Sequence, residues 1–410
     1  MRVARGVLAA LALTAALWPA ASPDARAVSV NAAAASPARA ENGFALALLH
    51  QLGGAGNLVY SPYSIDLALT MADAGAEGQT ASQIASVLDA PSASDAASYA
   101  GALRHALEQA VGSGSAAPTL DVANALWTQS GLALQAQFVA TLTDDFGAPP
   151  QSTDFAESPA AALAAINGWV SQHTDALIPD LLGQGSITPQ TAFVLANAIY
   201  LKARWQSPFA KSQTAPAAFT TATGQVLHVP FMNQADTTYG YASATGYQAI
   251  ELPYSSSSLS MLAILPRGKT LARFARGLTA GSLGAIVGAL RPASVNLSMP
   301  KLDLSTQSDL DGPLQKLGMT DAFTGHANFA GVTTQRQLEI SLVEHAAVLK
   351  VDEHGTVAAG ATAIVAPTTA VPVRTRTIDL KLNRPYLLAL RDDASGALLF
   401  VALVANPAQS

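Results

Sequence analysis

The chain has 410 residues, 50% of them hydrophobic and 12% charged, which is enough apolar material for a large core. Its 22 Lys and Arg against 28 Asp and Glu leave a net charge of −6, and no basic run is denser than Arg374 to Arg376, which argues against a nucleic-acid partner or an anionic membrane surface. With no cysteine, a disulfide framework, a lipid-anchor thiol and a cysteine-based zinc site are excluded, so the fold must be held by burial alone.

In chain order, residues 1–27 read as a secretory signal peptide. Arg2 and Arg5 precede an apolar run from Gly6 to Trp18 that is too short to span a bilayer, and Ala25-Arg26-Ala27 offers a small-x-small cleavage site, with Ala20-Ala21-Ser22 as a rival. That predicts export, to the periplasm or the extracellular medium, and no later segment reaches membrane-spanning length. Residues 28–41 are low in complexity and are expected to form a flexible arm, with residues 42–410 as one domain. A helix is predicted from Asn42 on the stripe Phe44, Leu46, Leu48, Leu49 and Leu52. A second starts at Ser61-Pro62, the hydroxyl as N-cap and the proline in the first turn. Asp95–Val111 and Pro159–Leu177, the latter capped by Ser158, are further helices. The second half turns to short β-rich runs: Ala192–Leu201, Tyr247–Leu252, Ser260–Leu265, Ser294–Met299, Leu338–Val343, Val348–Val351, Ile378–Leu382, Tyr386–Leu390 and Ala397–Val404. Helices early and strands late indicate an α+β class.

Site chemistry is sparse. None of the seven histidines lies in HExxH or another close ligand spacing, and no G-x-S-x-G nucleophile motif occurs. Gly53-Gly54-Ala55-Gly56 lacks the context of a dinucleotide loop and reads as a turn; Asn296-Leu297-Ser298 fits a glycosylation sequon but falls in a predicted strand. The absence of a catalytic constellation in an exported chain of this size points to a binding or inhibitory role. A hydrolase would require a triad that the sequence does not display.

A series of motifs in order resembles the serpin family: "NLVYSPYSI" (Asn57–Ile65), "ANALWTQSGLALQAQF" (Ala123–Phe138), "INGWVSQHTDALIPDLL" (Ile166–Leu182), "LANAIYLKARWQSPF" (Leu195–Phe209), "IELPY" (Ile250–Tyr254), "PKLDL" (Pro300–Leu304), "LGMTDAF…ANFAGV" (Leu317–Val332), "EHAAVLKVDEHGTVAAGAT" and "LNRPYLLALRD". The resemblance spans about residues 42–407. It implies helices packed around a large central sheet, mostly antiparallel or mixed, plus smaller sheets, with a reactive-centre loop over about 353–377 exposed above a five-stranded main sheet. It also implies a monomeric suicide-substrate inhibitor of serine proteases rather than an enzyme, with no metal and no small-molecule cofactor. A non-inhibitory carrier on the same fold is the alternative. Alanine richness and the short leader fit a bacterial source.

The resemblance assigns the hinge to Glu353, Gly355, Thr356, Val357, Ala358, Ala359, Gly360, Ala361 and Thr362. Once extended, its alternate residues Thr356, Ala358, Gly360, Thr362 and Ile364 share one face, and all are small or apolar and uncharged, so that face can be buried. Val357 departs from the acidic residue common in the family, on the outward face. Lys301 matches the partner of Glu353. Ser61, Ser64, Asn197 and His345 match a polar cluster beneath the sheet centre, and Trp205 lies in the strongest signature. The scissile bond stays open. Sixteen residues past Glu353 is Thr369, giving Thr369–Ala370, which suits an elastase-like or subtilisin-like protease; eleven before Pro385 is Arg374, giving Arg374–Thr375, which suits a trypsin-like one. The helix matching the family's heparin-binding region carries only Arg104 and His105 as basic groups, so no heparin-type cofactor is expected.

Overall fold

A computed structural model describes residues 40–90, 101, 104, 105, 107, 109–111, 117–356 and 377–409. The strands among them are, in chain order, β1 (Leu58–Tyr60), β2 (Thr119–Gln129), β3 (Gln151–Thr153), β4 (Phe193–Arg204), β5 (Ala215–Thr220), β6 (Val226–Ala244), β7 (Tyr247–Pro253), β8 (Leu259–Pro266), β9 (Arg291–Pro300), β10 (Leu302–Asp309), β11 (Leu342–Val351), β12 (Gly355–Thr356), β13 (Ile378–Lys381), β14 (Tyr386–Asp392) and β15 (Leu398–Val404). They form a main sheet in the order β10-β11-β12-β4-β2-β3 and a second, nine-stranded sheet.

The main sheet has an apolar layer on each side. On its front, Ala123, Ala125 and Trp127 of β2, Val194, Ala196 and Ala198 of β4, and Ala346 and Val348 of β11 pack against Ala162, Ile166 and Val170 of the helix Pro159–His173. The intervening residues of each strand point to the back. There Leu126, Leu195 and Val343 join the core that also contains the helix Pro62–Asp73. β4 and β11 are therefore buried on both faces, which is why they read as continuous apolar runs without alternation. Ser61 starts the helix Pro62–Asp73 as expected: its Oγ accepts from Ser64 N at 3.1 Å, and Pro62 occupies the first turn.

Several boundaries differ from the sequence expectation. The helix from Pro159 ends at His173 rather than Leu177, because Asp175 and Ala176 adopt positive φ of 48° and 58°, and Ser158 makes no side-chain cap bond. The runs Leu338–Val343 and Val348–Val351 are not two strands. One strand covers Leu342–Val351, while Leu338 and Ile340 are buried without joining a ladder; apolar character reported burial there, not pairing. The first helix occupies 40–52 and takes in Ala40 and Glu41, which composition had assigned to the arm; Glu41 is buried and accepts from Leu398 N at 3.2 Å. β6 was not anticipated, since the polar run around Gln234–Thr238 masks its alternation at a bulge. The signal segment and most of the predicted arm lie outside the described residues.

One close backbone approach stands out in the core. An ideal Cβ on Gly75 would lie 2.3 Å from Val332 Cγ2, and one on Gly331 would lie 2.9 Å from Gly75 O. Gly75→Ala is therefore expected to lower stability by about 1–3 kcal/mol, because that site leaves no room for a methyl group. Denaturant unfolding followed by circular dichroism checks this.

Candidate functional site

β4 and β11 are parallel neighbours only along their N-terminal halves, where Leu342–Ala347 pairs with Val194–Ile199. Beyond that they part, and β12 fills the gap at the far end: Gly355 and Thr356 pair antiparallel with Arg204 and Ala203, and Thr356 pairs antiparallel with Val351. The main sheet thus contains a slot whose mouth already holds two residues. This corrects the expectation of a hinge lying wholly above the sheet: Thr356 is 1% exposed and Gly355 is buried with it.

A tight turn brings the chain back into the slot. Asp352 Oδ1 accepts from His354 N at 2.8 Å and Gly355 N at 3.2 Å, and Asp352 N donates to Gly355 O at 2.9 Å. Gly355 is required at this point, since a Cβ there would lie 1.9 Å from Ala203 O.

Polar and aromatic groups brace the mouth. Lys301 Nζ lies 2.9 Å from Glu353 Oε2, and Thr214 Oγ1 donates to Glu353 Oε1 at 2.8 Å. Phe209 N donates to Glu353 O at 2.8 Å and Trp205 N to His354 O at 2.9 Å. Trp205 Nε1 donates to Asp352 O at 2.9 Å, and its ring stacks on Tyr254 with centroids 4.6 Å apart. Desolvation pushes the Glu353 carboxyl up, but the hydrogen bonds from Lys301 and Thr214 together with the Lys301 charge outweigh it and hold the group at about 2.

The slot closes where Ile199 pairs with Ala347, and two residues further, six residues or about 20 Å from the mouth at the usual strand rise, Asn197 and His345 are paired Cα neighbours. His345 Nε2 accepts from Ser61 N at 3.0 Å, so the proton sits on Nδ1 and is directed at Asn197 Oδ1. Asn197 Nδ2 in turn faces Ser64 O at 2.7 Å, Ser64 Oγ and Asn124 Oδ1. Burial lowers the His345 pKa to about 3, so the ring is neutral and every member of the network is satisfied without charge. The same geometry excludes a Ser–His nucleophile pair here: His345 Nε2 accepts from the backbone amide of Ser61 and its Nδ1 is directed at Asn197, so neither ring nitrogen is left for a serine hydroxyl. Among the described residues no group of three or more His, Asp or Glu could hold a metal ion.

The sequence profile of the family described as serpin (serine protease inhibitor) matches residues 39–407. The chain belongs to the serpin family. An uncharacterised serpin-like protein of Thermococcus kodakarensis is 33% identical over 367 residues, covering 89% of this chain and 84% of that one. Leukocyte elastase inhibitor of Bos taurus is 31% identical over 365 residues, covering 86% and 94% respectively. Among solved structures, native protease nexin-1 with heparin superposes with a TM-score of 0.81 at 28% identity, over 91% of this serpin and all of that chain. By family this serpin is a serine protease inhibitor, not an enzyme.

Of the residues singled out from the sequence, the structure brings Lys301, Glu353 and Trp205 together at the mouth of the slot and Ser61, Ser64, Asn197 and His345 at its base. Val357, Ala358, Ala359, Gly360, Ala361 and Thr362, and both candidate bonds, Thr369–Ala370 and Arg374–Thr375, lie outside the described residues. Sequence reasoning missed Asn124, Thr214 and Tyr254. Asn124 and Tyr254 stand inside quoted motifs, yet only the folded chain turns them toward the slot.

A carboxyl held at about 2 in the fold, below its ordinary value near 4.5, contributes stability that is complete above pH ~4.5 and is lost as pH falls through about 2. The stability gap between this serpin and its Glu353→Gln variant should therefore be full at pH 7, narrow from pH ~4.5 downward and close near pH 2. Denaturant midpoints measured across that range test it.

Proposed function

We propose that this serpin is an exported, single-use trap for serine proteases that works by inserting its cleaved loop into the slot between β4 and β11. The target's serine attacks the carbonyl carbon at the scissile bond, the peptide bond breaks with release of the new amine, and an ester joins the loop to the enzyme. The freed loop then enters the sheet and carries the acylated protease away before water cleaves the ester.

The observation that carries this reading is the register of β12. Thr356 lies between Ala203 and Val351, and Asn197 and His345 lie six residues further along those two strands. Six residues past Thr356 is Thr362. A strand continuing from Thr356 would thus stay in register with both neighbours at once and bring Thr362 between Asn197 and His345, displacing their mutual hydrogen bond. Its inward residues would be Ala358, Gly360, Thr362 and Ile364, which carry no charge to be desolvated.

The reading extends to Thr369–Ala370 as the bond cut, hence to an elastase-like or subtilisin-like target, with Arg374–Thr375 and a trypsin-like target as second choice. Loop length beyond the bond is tolerated more easily than a change in inserted-strand length. The signal-like leader supports export, and the paucity of basic residues around Arg104 and His105 supports action without a polyanion.

Incubation with elastase, subtilisin and trypsin in parallel is expected to give a denaturant-resistant adduct with one of the first two. The released C-terminal peptide should begin at Ala370; a start at Thr375 selects the second bond. Cleavage without any adduct would leave a carrier on the serpin fold. Heparin should leave the rate unchanged. Thr356→Arg, which places a charge at a 1% exposed position, should fold yet be turned over as a substrate, and persistence of its adducts would refute insertion through this slot.

A further inference from the structure

The first inserted residue has a dedicated partner on the other sheet. Tyr254 closes the β7–β8 hairpin and is 2% exposed; its hydroxyl lies 2.6 Å from Thr356 Oγ1. Among the described residues each hydroxyl is the other's only side-chain hydrogen-bond partner. The phenol is held from behind by the Trp205 ring, stacked at 9° to it, and Trp205 is itself tied to the turn at Asp352. Tyr254 N donates to Leu259 O at 2.9 Å, which fixes the backbone that presents the ring. Among the described residues no charged group hydrogen-bonds to either hydroxyl.

We propose that Tyr254 is a positioning residue for inhibition: its hydroxyl latches Thr356 in the mouth of the slot, so that insertion after cleavage proceeds from a strand end already seated. This rests on the trapping mechanism above. Trapping is a race between insertion and hydrolysis of the ester, and a pre-seated Thr356 removes the first step from the insertion side. Loss of either hydroxyl leaves the other buried without a partner, which disfavours the seated state. Loss of both leaves two apolar surfaces in contact and nothing unsatisfied.

The latch therefore predicts a specific pattern over Tyr254→Phe, Thr356→Val and the double variant. Each single variant keeps the ring stack or the β-branched shape. Each should raise the ratio of cleaved inhibitor to covalent adduct at least roughly fivefold, the lower end of the cost of leaving one buried hydroxyl without a partner, acting on a two-way partition. The rate of loop cleavage should be unchanged. The double variant should return to within about twofold of the starting ratio. A purely structural role for Tyr254 would instead lower the unfolding midpoint of Y254F without moving the partition, and T356V would not rescue it.

Hydrogen exchange of the segment around Gly355 and Thr356, measured on the uncleaved protein, reads the latch without any protease. Exchange should quicken in both single variants and return in the double. Should the unmodified protein form no adduct with any protease, the trapping mechanism falls while the exchange pattern still decides whether the latch exists. Single variants that match the unmodified protein in partition and exchange, or a double variant no better than the singles, overturn the proposal.

Discussion

The parallel contact between β4 and β11 is the constraint on which the rest of this structure turns. Six residue pairs join the strands, from Leu342 and Val194 to Ala347 and Ile199. Beyond them the strands are held apart by Thr356 and Gly355. Between Ile199 and Ala203 on one side and Ala347 and Val351 on the other, no described strand faces the slot. Strand edges without partners are ready templates for pairing, and here Thr356 is seated at the end of both. The sheet is thus a closed zip at one end and a wedged one at the other.

The two ends are held by different physics. At the mouth, a carboxylate is stabilised by an ammonium group and a hydroxyl, an arrangement that works only while Glu353 is ionised. At the base, a neutral imidazole in a single tautomer accepts from Ser61 N and donates to Asn197. A second proton on that ring would face the Ser61 N–H donor, which is why burial and geometry agree in keeping it neutral. The network at the base is made of neutral groups, so parting it strands no buried charge, whereas the mouth is held by an ion pair.

Small size is the other requirement. Gly355 lies against the carbonyl of Ala203, where no Cβ fits, and Thr356 fills a space bounded by Ala203, Val351 and Tyr254. The second sheet contributes here, because Tyr254 and Trp205 form one side of the mouth and tie the turn at Asp352 to the hairpin behind it. The two sheets are coupled at the place where the loop would enter.

The sequence by itself determined the α+β class, the cap at Ser61, the burial of His345 and the pairing of Glu353 with Lys301. The first two depend on periodicity and local chemistry; the last two came from the resemblance to the serpin family, since Lys301 and Glu353 stand 52 residues apart in the chain. It also marked the stretch after Glu353 as a segment able to be buried, because small uncharged residues on alternate positions satisfy a strand face whichever strand they join. Only the tertiary structure decided that Gly355 and Thr356 are already inside the sheet, that Leu338 and Ile340 are core without being strand, and that Asn124, Thr214 and Tyr254 belong to the slot. The seating of the hinge depends on register between strands more than a hundred residues apart: Ala203 and Thr356 meet because β4 and β11 run parallel with a fixed offset, and no property of either stretch alone records that offset.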